Sequence, residues 1–317
     1  MAFVALLAAA LYTIRVNPEI RVYCQAIHVK RSWAERLAAD PAPRFILAGG
    51  SSAAFSVDGE SLLRDHGVRL VNFGLHAGMG PLFVTAVAAR EARPSDTFLL
   101  ALEPGLLTEP FSSPDLGAQI GWALGEQELI RASPITGERV HWMEDLLSLR
   151  PGAFQVFNVL GAVVVRKRIY RYSIRDFNES GWQRAHDFRE FGPPSLPSQP
   201  LSGDALRLLD ALAQWGQTNR VNLMYSLPWA YVPPDQAEPF RRVNAAFLAQ
   251  VRQKMPVLKD LALGVHSIRS HFADTAWHLT PEAARLRTEN LAASLKSAAA
   301  WSRDELELLA REQPQNP

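Results

Sequence analysis

A chain of 317 residues, 48% hydrophobic and 21% charged, has enough apolar content to bury one large core or two smaller ones, which excludes a disordered polypeptide. A net charge of +1 and a pI near 8.0 give no electrostatic reason to expect nucleic acid, and the one basic cluster, Arg166-Lys167-Arg168 with Arg171 and Arg175, reads as a solvated helix face or a local partner contact. Cys24 is the only cysteine, which rules out an intramolecular disulfide and any multi-cysteine metal site.

The first element, Ala2 to Ile14, carries no charge, yet its length of about 13 residues falls short of the roughly 20 that span a bilayer. A signal-peptide core, a buried helix and an N-terminal membrane anchor all fit; the anchor is the expected reading, with residues 1–40 forming the apolar helix and a connector. Arg15, Arg21, Lys30 and Arg31 follow the apolar run, which by the positive-inside tendency argues against export of what comes after. From residue 41 the pattern alternates. Phe45 to Ala48, Val68 to Leu75 and Thr97 to Leu102 read as short buried strands, separated by helical patterns at Asp58 to His66 and Pro81 to Arg90. Residues 105–200 break the rhythm with Trp122, Trp142, Trp182 and the loop-like GPPSLPSQPLSG, and read as a mostly helical insertion. Beyond Gly203 the alternation returns: a helix at Asp204 to Trp215, the strand VNLMYSLPW, a helix from Pro234 to Val251, a weak strand at Val265 to Ile268, and a final helix capped by Thr280 with Pro281 at its first position. Such alternation predicts an α/β fold, a three-layer α/β/α sandwich around a mostly parallel five-stranded sheet.

Chemistry concentrates where the first strand ends. In RFILAGGSSAAF the strand runs into Gly49-Gly50 and presents Ser51 and Ser52 at its carboxyl edge, the side on which open parallel sheets bind ligands. A serine on such a strand-to-helix corner projects its hydroxyl and its N–H into one cleft, as a nucleophile facing an oxyanion requires; helix capping is the plain alternative. A phosphate cradle is not indicated, because GxGxxG and a Walker lysine are absent. A serine nucleophile needs a base and a group to orient it. FADTAWHLTPEAARL supplies Asp274 and His278 on one loop ahead of the last helix; His76, after the second strand, lines the same cleft, while His28, His66, His141, His186, His266 and His271 lack an evident partner. No His/Asp/Glu cluster has metal-ligand spacing, so neither a metal nor another cofactor is expected.

With these residues in place, the sequence resembles the SGNH, or GDSL-like, hydrolase superfamily. GGSS at 49–52 is similar to block I, VNFGLHAGMG to block II and FADTAWHLT to block V, over residues 44–103 and 221–295. The resemblance implies a flavodoxin-like strand order in a domain spanning 41–317. It makes Ser51 the nucleophile, His278 the base and Asp274 its orienting acid, with the N–H groups of Ser51 and Gly74 in the oxyanion hole. Two departures stand out. Three residues rather than two separate Asp274 from His278, so the loop is bulged or another carboxylate orients the base. The block III asparagine is replaced by Glu103 in ALEPG, and an ionised carboxylate cannot donate to an oxyanion. Asn72, His76 or a protonated Glu103 then substitutes, or the protein is not catalytic; Glu103 is equally suited to accept from backbone amides. The implied function is acyl-ester hydrolysis or O-acyl transfer on envelope or exopolysaccharide acyl groups, membrane-anchored and facing the periplasm or cell exterior, beside a membrane-bound O-acyltransferase. The alternative is a non-catalytic scaffold of such a complex. Trp142, Trp182, Trp229 and Tyr231 are candidates to stack on sugar rings or are core residues, and Trp277, next to the base, has the better claim.

Overall fold

The structure, a computed structural model, describes residues 4–5, 7–8, 14–111, 115–138, 161, 164–165, 170–195, 200–297 and 300–311. Its helices are α1 (Pro18–Ala38), α2 (Ser51–Ser56), α3 (Gly59–His66), α4 (Pro81–Ala89), α5 (Pro104–Thr108), α6 (Asp115–Leu124), α7 (Ser133–Thr136), α8 (Gly203–Asn219), α9 (Ala237–Arg252), α10 (Pro281–Ser297) and α11 (Arg303–Arg311). The strands are β1 (Phe45–Gly49), β2 (Leu70–Gly74), β3 (Thr97–Ala101), β4 (Asn222–Tyr225), β5 (Ala230–Tyr231) and β6 (Val265–His266).

The fold is α/β with an open parallel sheet of four strands in the order β2-β1-β3-β4. The central strands are apolar on both sides because both faces are covered. Ile46 and Ala48 of β1 join Val71, Phe73, Phe98 and Leu100 in a cluster with residues of α1, α4, α8 and α9. Leu47, between them in sequence, points the other way, with Leu70, Leu99 and Ala101 against Ala53 of α2, Leu62 of α3 and Leu291 and Leu295 of α10. Each such aliphatic side chain contributes about 1.5–3 kcal/mol on burial.

Three expectations are corrected. Residues 18–38, read as connector, are a helix of the core: Asn17 caps it by accepting from the Glu19 N–H at 2.9 Å, Pro18 opens it, and Ile20, Tyr23, Ile27, Lys30, Ala34 and Leu37 bury one stripe. The strand at 265–268 does not enter the main sheet. Val265–His266 pairs with Ala230–Tyr231 in a separate two-stranded ribbon, after Leu263 and Gly264 turn the chain through positive φ. Beside β4 the chain instead lays down residues 256–258, which meet β4 in a single bridge, Tyr225 to Val257, while Leu258 bridges Ala300 on the other side; Pro256 has no N–H with which to extend the pairing to β4. Finally, the described end of the insertion, 170–195, is an irregular strap and not a helix. It has one 3-10 turn at Ile174–Asp176, a single bridge from Phe177 to Gln183, and Gly181 at φ +82°, a conformation that L side chains resist.

The strap is tied to the C-terminal half of α2 and, through Lys30, to β2. Gln183 N–H donates to Ala54 O at 2.9 Å and Trp182 Nε1 to Phe55 O at 3.1 Å, while the fully buried Lys30 donates Nζ to Asn72 O and Gly181 O beside the Phe177 ring. No helix among the described residues is long and apolar enough to cross a membrane, and most of the 2–14 segment lies outside the described residues.

Candidate active site

The two glycines at the end of β1 answer to crowding. A Cβ on Gly49 would collide with Ala101 O and Ala53 Cβ, and one on Gly50 with both carboxylate oxygens of Glu103. At Gly49 the obstacle is backbone and a fixed Cβ, so only glycine fits; at Gly50 it is the end of the Glu103 side chain, which a Cβ would displace. The turn separates the serines. Ser51 opens α2 half-buried, and its hydroxyl makes no hydrogen bond among the described residues; Ser52 is buried, and its hydroxyl has no partner. Glu103 Oε1 accepts the Ser52 N–H at 3.1 Å, so Glu103 stands in for the missing side-chain cap of α2, whose N-cap is Gly50. Oε2 of the same carboxylate is buried without a partner. Glu103 therefore sits as a backbone acceptor at the corner.

His278 and Asp274, the candidate base and its acid, come from the loop between β6 and α10. Phe272 and Leu279 bridge across it, Ala273 N–H donates to His278 O at 2.9 Å, and Thr275 Oγ1 accepts the N–H groups of Trp277 (3.1 Å) and His278 (3.2 Å). This threonine turn absorbs the extra residue between acid and base. His278 Nδ1 lies 2.7 Å from Asp274 Oδ1, which assigns the Nδ1 proton to that bond and leaves Nε2 with its lone pair. The imidazole stacks on the Phe55 ring, centroids 4.1 Å apart. Phe55 lies one turn after Ser51 on the same face of α2, so the base packs along the face that Ser51 opens. Ser51 and His278 are not hydrogen-bonded to each other among the described residues; the His278 ring meets Asp274, Tyr172 and Phe55.

Asp274 is held by more than the histidine. Tyr172 O–H donates to Oδ2 at 2.7 Å, and Arg171 Nη1 pairs with the same oxygen. Burial pushes the Asp274 carboxyl up, but the His278 and Tyr172 hydrogen bonds and the Arg171 charge outweigh it and hold the group well below the usual carboxylate range. Burial, then the bond to Asp274, pushes the Tyr172 phenol up, so it remains a donor. His76 stands at the same opening. Its Nδ1 accepts the Gly78 N–H at 2.9 Å, and burial followed by the charge of His278 lowers its pKa, so the ring is neutral with its proton on Nε2.

Other assigned residues fall elsewhere. Asn72 is fully buried, donating to Ala53 O (2.9 Å) and Val57 O (2.7 Å) and accepting the Gly74 N–H at 2.7 Å; it brackets β2 to α2 and is not a substrate contact. That bond also commits the Gly74 N–H that the resemblance assigns to an oxyanion hole. The glycine is required because a Cβ there would strike the Ala53-Ala54 backbone. Trp229 is core: it stacks on His266 at 3.7 Å and donates to Asp260 at 3.0 Å, while Trp182 is buried under α2 and Tyr231 packs on Phe272 and Phe191. Trp277 is half-buried in a shallow cavity with Pro104, Leu227 and Phe240. Trp142 and Arg166-Lys167-Arg168 lie outside the described residues. Arg171, read as part of a solvated face, is instead bonded to Asp274. Sequence reasoning missed Phe55, Arg171 and Tyr172, the last two because no local spacing links YRYSIRD to a loop a hundred residues on. Among the described residues, no group of three His, Cys, Asp or Glu side chains is placed to hold a metal.

Comparison with protein-family models, with curated proteins and with solved structures returns no match.

Proposed function

We propose that the protein is a serine-dependent acyl-ester hydrolase or O-acyltransferase of SGNH type, acting on acyl groups of envelope or exopolysaccharide. The observation that carries this reading is an imidazole backed by a buried carboxylate at 2.7 Å and packed along the helix that Ser51 begins. Ser51 Oγ attacks the acyl carbonyl as its proton passes to His278 Nε2, the tetrahedral intermediate expels the alkoxide, and His278 returns the proton to that leaving oxygen. Water or a sugar hydroxyl, deprotonated by the same imidazole, then attacks the acyl carbon, and as that intermediate collapses His278 returns the proton to the departing Ser51 Oγ. With the Ser52 and Gly74 N–H groups committed, the donors for the oxyanion are the Ser51 N–H and His76 Nε2–H, which replaces the missing block III amide. A three-layer α/β/α sandwich in flavodoxin-like order, with residues 256–258 in the fifth position beside β4, is the fold this reading adopts. The 2–14 segment anchors the protein in the membrane, facing the periplasm or exterior beside a membrane-bound O-acyltransferase.

Hydrolysis of p-nitrophenyl acetate by the full chain is the test: wild type turns it over, and Ser51→Ala lowers kcat/KM by roughly a thousandfold or more. Equal rates in the two proteins would refute the reading. One observation favours a non-catalytic binding role, the Glu103 carboxylate seated at the serine corner where the resemblance expects an amide donor. Absence of turnover with several acyl donors selects that second reading.

A further inference from the structure

The strap residues Arg171 and Tyr172 make no hydrogen bond to Ser51 among the described residues, yet both end on Asp274 behind His278. The division of that carboxylate is specific. Oδ1 is given to His278 Nδ1 at 2.7 Å, while Oδ2 accepts from the Tyr172 hydroxyl at 2.7 Å and from Arg171 Nη1. The Tyr172 hydroxyl also lies 3.5 Å from His278 Nδ1, but its proton is directed to Asp274 and Nδ1 carries its own, so the phenol supports the carboxylate and not the ring. Arg171 is about a third exposed and reaches a carboxylate whose side chain is only 2% exposed. Its other edge meets Asp187 at 3.3 Å, which is itself paired with Arg189 at 3.0 Å.

We propose that Arg171 and Tyr172 are positioning residues that divide the Asp274 carboxylate, fixing Oδ1 on His278 while their donors to Oδ2 moderate the pull that the acid exerts on the base. The inference rests on the triad reading above for its catalytic meaning. A carboxylate already accepting from a guanidinium and a phenol attracts an imidazole proton less strongly than one that accepts from the imidazole alone. Charge works in the same direction, because Arg171 disfavours a second cation on the neighbouring ring. The other groups around the base are few: His76 faces it from the loop after β2, and Phe55 of α2 covers one ring face without charge. Behind Tyr172 stands His186, ring to ring at 5.9 Å and 3.6 Å from Asp176. The arrangement directs the Nδ1 proton of His278 to Asp274 Oδ1 and leaves the Nε2 lone pair free for the Ser51 proton. It also makes the base depend on the strap, which Trp182, Gln183 and Lys30 fasten to α2 and β2.

The test is a pH titration of the imidazole by heteronuclear NMR on the full chain, with His278 assigned by the signal lost in His278→Gln. Wild type, Tyr172→Phe, Arg171→Gln and Arg171→Lys are compared. Tyr172→Phe and Arg171→Gln are each expected to raise the His278 midpoint by about 0.5–1 pH unit, and Arg171→Lys, which keeps the charge, to stay nearer wild type. A midpoint that is unchanged or falls in both Tyr172→Phe and Arg171→Gln overturns the inference, since residues that merely fill space would leave the titration alone. Should Tyr172→Phe fail to fold, the partly exposed Arg171 pair decides the question. Because the readout needs no turnover, a raised midpoint in a chain that hydrolyses no ester sustains the inference while the hydrolase reading fails, and an unmoved midpoint in an active enzyme does the reverse.

Discussion

In Asp274→Asn, acyl-ester turnover is expected to fall by about 10⁴-fold, measured as kcat/KM on p-nitrophenyl acetate. Three donors converge on Asp274: the Nδ1–H of His278, the hydroxyl of Tyr172 and a guanidinium N–H of Arg171. An amide offers one acceptor oxygen and sets an NH2 group against the rest. If the oxygen turns toward Arg171 and Tyr172, the NH2 faces His278 and draws the ring into the tautomer with its proton on Nε2, the atom that must receive the proton of Ser51. If the oxygen turns toward His278, the NH2 faces a cation. Stability falls too, and its pH dependence has a defined sign. The folded chain holds the Asp274 carboxyl below its ordinary value of 3.8, so its contribution is complete above that value and disappears as pH falls below it. In Asp274→Asn that part of the acid unfolding profile flattens, as urea unfolding at pH 7 and pH 3 would show. Wild-type rates in Asp274→Asn would mean that the carboxylate is structural only.

The second large effect lies away from the corner, at Lys30. Its amine is fully buried with no carboxylate partner among the described residues, and burial pushes its pKa down to about 7 from 10.5. The folded chain therefore releases this proton near pH 7, whereas the unfolded chain retains it up to 10.5. Stability rises with pH across that interval, because the unfolded state binds more protons there. The acceptors Asn72 O and Gly181 O and the Phe177 ring at 5.6 Å favour the cation and reduce the effect. Relative to Lys30→Met, the wild type is expected to gain on the order of 3 kcal/mol between pH 7 and pH 10, read from urea unfolding at both. A difference between the two proteins that stays constant with pH would show that the amine keeps its charge throughout.

What could be read in advance divides by sequence distance. The serine corner was legible because its causes are local: an apolar run, two glycines and a small helix start within a dozen residues, and the structure adds that Gly49 is required by Ala101 and Ala53. Asp274 and His278 were legible as a pair because one loop carries both. Tyr172 and Arg171 meet Asp274 across 102 and 103 residues, and nothing periodic joins them. Lys30 was counted only among the cations that follow the apolar run; the apolar stripe of Ile20, Tyr23, Ile27 and Ala34 around it, visible at helical spacing, is what signals its burial. Asn72 was offered, with His76 and a protonated Glu103, as a replacement for the missing block III amide, but Ala53 and Val57 present carbonyls that its amide satisfies. The edge of the sheet was misplaced because short apolar pieces such as 256–258 and 265–268 look alike until pairing selects one.

The central claim is that His278 activates the Ser51 hydroxyl, and the most direct measurement maps the adduct formed with a fluorophosphonate probe by mass spectrometry of the labelled peptides. The account predicts phosphonylation of Ser51 in the wild type, with the buried Ser52 unmodified, and its loss in His278→Gln. Labelling of Ser51 that persists in His278→Gln, or a wild-type chain that the probe leaves unmodified, would contradict it.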